Sequence, residues 1–150
     1  MRLKDYINEK EVSAAVVMSD GKEFLIIHPT GWGSNEWEVP KGNINDGENT
    51  KQAAIREFYE ETGVKINISG LKEIGNFPLR ADKDIVLFTY SIDDLPPTSS
   101  MKCLSLFHPY KYAGDTETTL REVDKWKYIT PDQIDNYVRE EMRSMIRKAL

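Results

Sequence analysis

The chain has 150 residues and carries 20 Lys plus Arg against 25 Asp plus Glu, a net charge of −5. That balance argues against sequence-independent nucleic-acid binding, which needs a basic excess to displace counterions from phosphate. The length allows one sizeable core without disulfides or a structural metal, and the single cysteine, Cys103, has no partner for an internal disulfide.

The N-terminus, MRLKDYINEK, is polar and lacks the apolar stretch of a secretory signal. No window approaches the roughly 20 apolar residues of a membrane span, so a cytoplasmic protein is expected. Nothing marks a linker or repeat, and one domain over residues 1–150 is expected. Val12 to Ser19, rich in small and β-branched residues, predicts a strand; Asp20-Gly21 is a hairpin signal, and Phe24 to Ile27 predicts its partner. Trp32 to Glu36 reads as a loop, Trp37 to Pro40 as a short apolar piece, and Gly42 to Asn49 again as loop. Thr50 to Thr62 predicts a helix, with Asn49 or Thr50 as its cap and Gly63 as a left-handed terminator. Val64, Ile66 and Ile68 alternate with polar residues as in a strand, and Ile85 to Ile92, Lys102 to Phe107 and Lys125 to Ile129 also predict strands. Cys103, within Lys102 to Phe107, reads as a small buried hydrophobe. Thr130-Pro131-Asp132-Gln133 opens a C-terminal helix with the apolar stripe Ile134, Val138, Met142, Met145 and Ile146. The fold class is α+β.

The chemistry concentrates on the predicted helix. At about 100° per residue, Glu57, Glu60 and Glu61 share an arc of about 100°, while Ala54, Ile55 and Phe58 fall on another. One side can enter the core while the acids face a cleft. Like charges so close repel, and the nearest cation, Arg56, can hold a neighbouring carboxylate through a bidentate contact. Such a group of carboxylates suits a hard divalent cation; its alternative is a solvated acidic face. Residues 42 to 64 hold five acids and two bases, so most of the net charge sits in this segment.

The spacing is specific: Gly42, five residues, Glu48, seven residues, Arg56-Glu57, apolar Phe58, any residue, Glu60-Glu61, any residue, Gly63, apolar Val64. With this complete box the chain resembles the Nudix hydrolases. The strand pair, the Trp37-Glu38-Val39-Pro40-Lys41-Gly42 approach and the late strand followed by a helix are also similar to that family. The resemblance implies an α/β/α sandwich with a mixed central sheet and a C-terminal helix. It also implies hydrolysis of a nucleoside diphosphate linked to another group, with Mg²⁺ or Mn²⁺ as cofactor. By the same resemblance Glu57, Glu60 and Glu61 are the metal ligands, with the Gly42 carbonyl completing the shell. Arg56 orients a box glutamate, Glu48 supports the loop, and Gly63 only stops the helix.

The proton acceptor is open between Glu57, Glu117 and Glu122, the last two lying in the stretch where many relatives place a catalytic acid on a loop. Lys41 and Arg80 are candidates for substrate phosphate, and Tyr110 and Tyr112 for stacking on a base. Trp126 reads as core, and His28 and His108 as loop residues rather than metal ligands. The Val39-Pro40-Lys41-Gly42 approach resembles the diadenosine polyphosphate and diphosphoinositol branches. Pro78, 14 residues beyond Val64, points instead to ADP-ribose enzymes, and Ala81 stands where the diadenosine branch has Tyr. The expected substrate is a dinucleoside polyphosphate, with ADP-ribose or a nucleoside triphosphate as alternatives, and no nucleic-acid partner is expected except as a capped 5′ end. A Nudix module that binds a nucleotide without turnover is the non-enzymatic one.

Overall fold

The computed structural model describes residues 10–107 and 119–150. Its central sheet runs in the order β4-β5-β1-β2-β8, from Leu71–Arg80 (β4), Lys83–Ser91 (β5), Glu11–Ser19 (β1), Phe24–Pro29 (β2) and Val123–Ile129 (β8). The pair β1–β5 is parallel; β4–β5 and β2–β8 are antiparallel, so the sheet is mixed. Both of its faces are apolar and both are covered. Ala14, Val16, Met18 and Leu25 pack on Ala53, Ala54 and Phe58 of helix α1, Thr50–Thr62. Ala15, Val17, Phe24 and Ile26 pack on Ile134, Val138, Met142, Met145 and Ile146 near the C-terminus. This is an α/β/α arrangement, and among the described residues no helix is long and apolar enough to cross a membrane.

The predicted hairpin exists, but its strands soon part. β1 and β2 pair at the turn, Ser19 opposite Phe24. Residues 38 to 43 then enter the gap between them. Glu38 exchanges backbone bonds with Ile27 at 2.7 and 3.0 Å, Val16 N–H donates to the Pro40 carbonyl, and Lys41–Asn43 forms β3 against Ala15, Ala14 and Ser13. This wedge carries the approach to the box into the middle of the sheet, where Trp37 and Val39 are core. The loop before it is pinned by His28, a buried β2 residue rather than a loop one, whose Nδ1 lies 2.7 Å from Asp124 and whose Nε2 lies 2.9 Å from the Gly33 carbonyl.

Helix α1 spans the predicted residues. Asn49 caps it, accepting from Gln52 N–H at 2.8 Å, while the Gln52 side chain accepts from Asn49 N–H at 2.9 Å. At the other end Gly63 takes φ 75° and its N–H donates to the Tyr59 carbonyl at 2.7 Å. The next three carbonyls, orphaned in any helix, find donors from distant chain. Leu104 N–H reaches Glu60 at 2.6 Å, the Trp126 indole reaches Glu61 at 2.8 Å, and Lys102 N–H reaches Thr62 at 3.1 Å.

That capping corrects one expectation. Lys102 to Phe107 is not a full strand, because its first N–H groups serve the helix end; only Leu106–Phe107 (β6) pairs, with Leu120–Arg121 (β7). Cys103 within it is fully buried, as expected. Val64 to Ile68 is not a strand either. Ile66 is buried but Ile68 is exposed, and the Asn67 side chain accepts from Ser69 N–H to open the turn Ile68–Gly70. The unforeseen strands are β7, β3, which takes Gly42 and Asn43 out of the expected loop by pairing with β1, and β4, whose Gly75 and Pro78 argue against a strand in sequence. Both sit at register shifts on a sheet edge, where bulges and a missing donor are tolerated.

The C-terminal helix is present but interrupted. After a turn at Pro131–Gln133 it forms Ile134–Tyr137 (α2), breaks into extended backbone at Val138 and Arg139, and resumes as Glu140–Lys148 (α3). The break lets Trp37 N–H donate to the Tyr137 carbonyl at 3.0 Å and Arg139 N–H donate to the Trp37 carbonyl at 2.9 Å.

Gly63→Ala is expected to destabilise the protein by about 1–2 kcal/mol, because a Cβ at positive φ is strained. It would also meet the Lys102 carbonyl at 3.3 Å. The shift in the urea unfolding midpoint measures this.

Candidate active site

Arg56 gathers the box. Its Nε and Nη2 donate to the two carboxylate oxygens of Glu48 at 2.6 and 3.0 Å, and Nη2 also donates to the Asn43 carbonyl at 2.8 Å. Nη1 donates to Glu57 at 2.7 Å and to Glu60 at 3.2 Å. One planar guanidinium thus ties the β3 end and the loop before the helix to two helix carboxylates, a task its rigid fork suits. Glu48 also accepts from Asn45 N–H at 2.9 Å, closing the loop, and its bond to Arg56 holds its carboxyl below the usual range.

Glu57 packs directly on Gly42. A Cβ at Gly42 would lie 2.0 Å from the Glu57 carboxyl carbon, so the glycine leaves the space that the Glu57 carboxylate fills. Burial pushes the Glu57 carboxyl up, against the Arg56 hydrogen bond, with Glu60 and Glu122 adding smaller like-charge effects. Glu61 departs from the expectation that all three acids face a cleft: it is only 4% exposed. Its carboxylate accepts from Lys41 N–H at 3.1 Å. Burial first, and Glu38 and Glu57 next, push its carboxyl well above the ordinary range. Glu60 is the most open of the three, its side chain 35% exposed.

The structure therefore brings together Lys41, Gly42, Arg56, Glu57, Glu60 and Glu61. Glu122 joins them by its effect on Glu57, and is held by its own backbone: its N–H donates to the Ser105 carbonyl at 3.1 Å and its carbonyl accepts from Thr30 N–H at 3.0 Å. The Ser105 hydroxyl donates to its carboxylate at 3.2 Å. Arg80 lies at the β4–β5 turn, where it is ion-paired with Asp82 at 3.2 Å. Tyr110, Tyr112, Glu117 and His108 lie outside the described residues.

One participant was not singled out in sequence. Glu38 is buried beside Glu61, and its only sequence signal is a charge set between the apolar Trp37 and Val39. Trp126, read as core, packs there and also donates to the helix end.

Among the described residues no three acidic, imidazole or thiol side chains already form a closed metal cage. The donors present nevertheless fit a hard cation. Buried and partly buried carboxylates disfavoured as anions gather on one helix end, and a hard divalent cation takes such oxygen ligands, Mg²⁺ keeping water and phosphate oxygens in the rest of its shell.

The NUDIX domain family model matches residues 9–149, and the chain belongs to the Nudix family. Its α+β fold, with a mixed sheet and a C-terminal helix, is that of solved members. The NUDIX domain of Shewanella oneidensis NrtR, solved with ADP ribose, superposes with a TM-score of 0.67 at 13% identity, covering 99% of this chain and 97% of that one. A C. elegans Ap4A hydrolase gives 0.59 at 22% identity, covering 92% and 93%. In sequence, the uncharacterized Nudix hydrolase YvcI of Bacillus subtilis is 33% identical over 89 residues, 56% of this chain. A Haemophilus influenzae RNA pyrophosphohydrolase is 27% identical over 124 residues, 77% of this chain. The chain spans 54% and 62% of the lengths of these two relatives.

Two variants separate space from hydrogen-bond geometry. Gly42→Ala displaces only the flexible end of Glu57, so stability is expected to stay within about 1 kcal/mol of wild type while the carboxylate is driven from its place. Arg56→Lys, which cannot reproduce the five-bond fork, is expected to cost about 2 kcal/mol. Chemical denaturation without divalent metal checks both.

Proposed function

We propose that this protein hydrolyses a phosphoanhydride bond in a nucleoside diphosphate linked to another moiety, in a divalent-metal-dependent reaction carried by the box residues and with residues 1–150 acting as one domain. The observation that carries the reading is the unbroken acidic cluster, Glu57, Glu60 and Glu61 around Gly42 and Arg56, in a chain of this family. Modules that only bind nucleotides have little need to gather three acids at one helix end.

Glu57, Glu60, Glu61 and the Gly42 carbonyl are the groups that would hold Mg²⁺ or Mn²⁺. Such an ion supplies charge neutralisation at phosphate oxygens and a lowered pKa for bound water. The chain supplies the rest. Arg56 fixes Glu57 and Glu60 on one side, so the oxygen donors keep their orientation without a ligand. Lys41, the residue before Gly42, places a cation where the pyrophosphate arrives. The proton acceptor for the attacking water is Glu122, whose carboxylate accepts from the Ser105 hydroxyl, or Glu57, whose carboxyl burial pushes up.

The Val39-Pro40-Lys41-Gly42 approach supports a dinucleoside polyphosphate as substrate. Pyrophosphate removal from an RNA 5′ end is the second reading, supported by the RNA pyrophosphohydrolases among the sequence relatives. ADP-ribose and nucleoside triphosphates complete the range.

The test is a panel of diadenosine tetraphosphate, ADP-ribose, nucleoside triphosphates, and 5′-triphosphorylated and capped RNA, with product identification in ¹⁸O-water. Mg²⁺-dependent release of a nucleoside monophosphate or pyrophosphate is expected. Glu61→Gln is expected to lower turnover by at least about 100-fold, within the range for a lost general-acid or metal-supporting group. Tight nucleotide binding without turnover under Mg²⁺ and Mn²⁺ would establish the binding module instead.

A further inference from the structure

Glu38 is a buried carboxylate between two cations. Lys41 Nζ lies 3.4 Å from one of its oxygens and Arg139 Nη1 lies 3.1 Å from the other. Both lysine and glutamate side chains are closely covered, 13% and 7% exposed. Arg139 is itself held on four sides: its N–H donates to the Trp37 carbonyl, Nε donates to Glu141 at 2.8 Å, Nη1 meets Glu38, and its guanidinium lies 4.9 Å from the centre of the Trp32 ring. The break between α2 and α3 is what turns Arg139 toward Glu38 instead of along a continuous helix.

A lysine that meets a phosphate normally gives up rotamer freedom when it does so. Here that ordering is completed in advance by a carboxylate whose own position is set from residue 139. We propose that Glu38 is a positioning residue that holds the Lys41 ammonium ready for substrate phosphate, and that Arg139 is the strut that keeps Glu38 in place. The proposal rests on the phosphoanhydride reading above, in which Lys41 faces the pyrophosphate.

Charge alone predicts the opposite effect, which makes the idea testable: deleting a negative group near an anion site should tighten anion binding. The probe is imidodiphosphate, a non-hydrolysable pyrophosphate, titrated by calorimetry at saturating Mg²⁺ into wild type, Glu38→Gln, Lys41→Met and the double variant. Lys41→Met is expected to weaken binding about tenfold, and Glu38→Gln about threefold or more, as for loss or misplacement of a charged hydrogen bond. In the Lys41→Met background Glu38→Gln is expected to have no weakening effect, since its action passes through the lysine. Arg139→Met should reproduce the Glu38→Gln loss only while Lys41 is present, since loss of the Arg139 charge alone would weaken binding equally in the Lys41→Met background; Arg139→Lys should recover most of it, and these variants in both backgrounds replace the Glu38 variant if that one does not fold. Unchanged or tighter binding in Glu38→Gln or Arg139→Met, or weakening of equal size with and without Lys41, overturns the positioning role alone. A folded wild type that binds no imidodiphosphate with Mg²⁺ or Mn²⁺ overturns the phosphoanhydride reading, and the role of Glu38 with it.

Discussion

A helix that ends inside a protein leaves four carbonyls seeking donors, and meeting that demand at Tyr59 to Thr62 organises much of this molecule. Gly63 supplies the first donor locally. The other three come from Lys102, Leu104 and Trp126, so the chain 40 to 65 residues further on must return to the end of the box helix. Glu60 and Glu61 lie in that final turn. Their carboxylates are thus placed by backbone that is fully hydrogen-bonded, while Arg56 and the Asn49 cap secure the opposite part of the helix. A site that gathers repelling charges needs such a rigid mounting, because nothing in the repulsion itself would hold it together.

The electrostatics divide the acids into three kinds. Glu48 is bound to Arg56 and to the Asn45 N–H, and lies below the usual carboxylate range. Glu57 balances burial against Arg56, while Glu61 has neither solvent nor a direct cation and is raised the most. The wedge of residues 38 to 43 makes these distinctions possible. By parting β1 from β2 it brings Lys41 N–H to Glu61, Gly42 under Glu57 and the Asn43 carbonyl to Arg56. Three successive residues of one short strand thus contact three different box side chains. The same wedge carries Glu38 and receives the break between α2 and α3, so the C-terminal segment bears on the site from the opposite face of the sheet.

Where periodicity and capping agreed, the reading of the chain was accurate. Helix α1, its Asn49 cap, its Gly63 stop and the apolar stripe from Ile134 to Ile146 were legible because local geometry decides them. The box spacing also made Arg56 and its carboxylates legible as one group. Strands fared less well. Val64 to Ile68 alternates without being a strand, since the Asn67 turn competes with the ladder, and β4 tolerates Gly75 and Pro78 only as an edge. Glu38 was passed over because a lone acid beside Trp and Val carries no period, and its two cations lie 3 and 101 residues away.

The sequence by itself determined the family, the two helical faces that cover the sheet and the set of acids that must share one helix end, because each is written in short-range spacing. Only the tertiary structure decided which acid is buried, which cation holds it and where the C-terminal helix breaks. Burial and ion pairing depend on which distant backbone arrives alongside, and a residue's neighbours in space are not encoded by its neighbours in chain. The negative charge evident from composition is resolved in this way into separate environments, from the braced Glu48 to the enclosed Glu61.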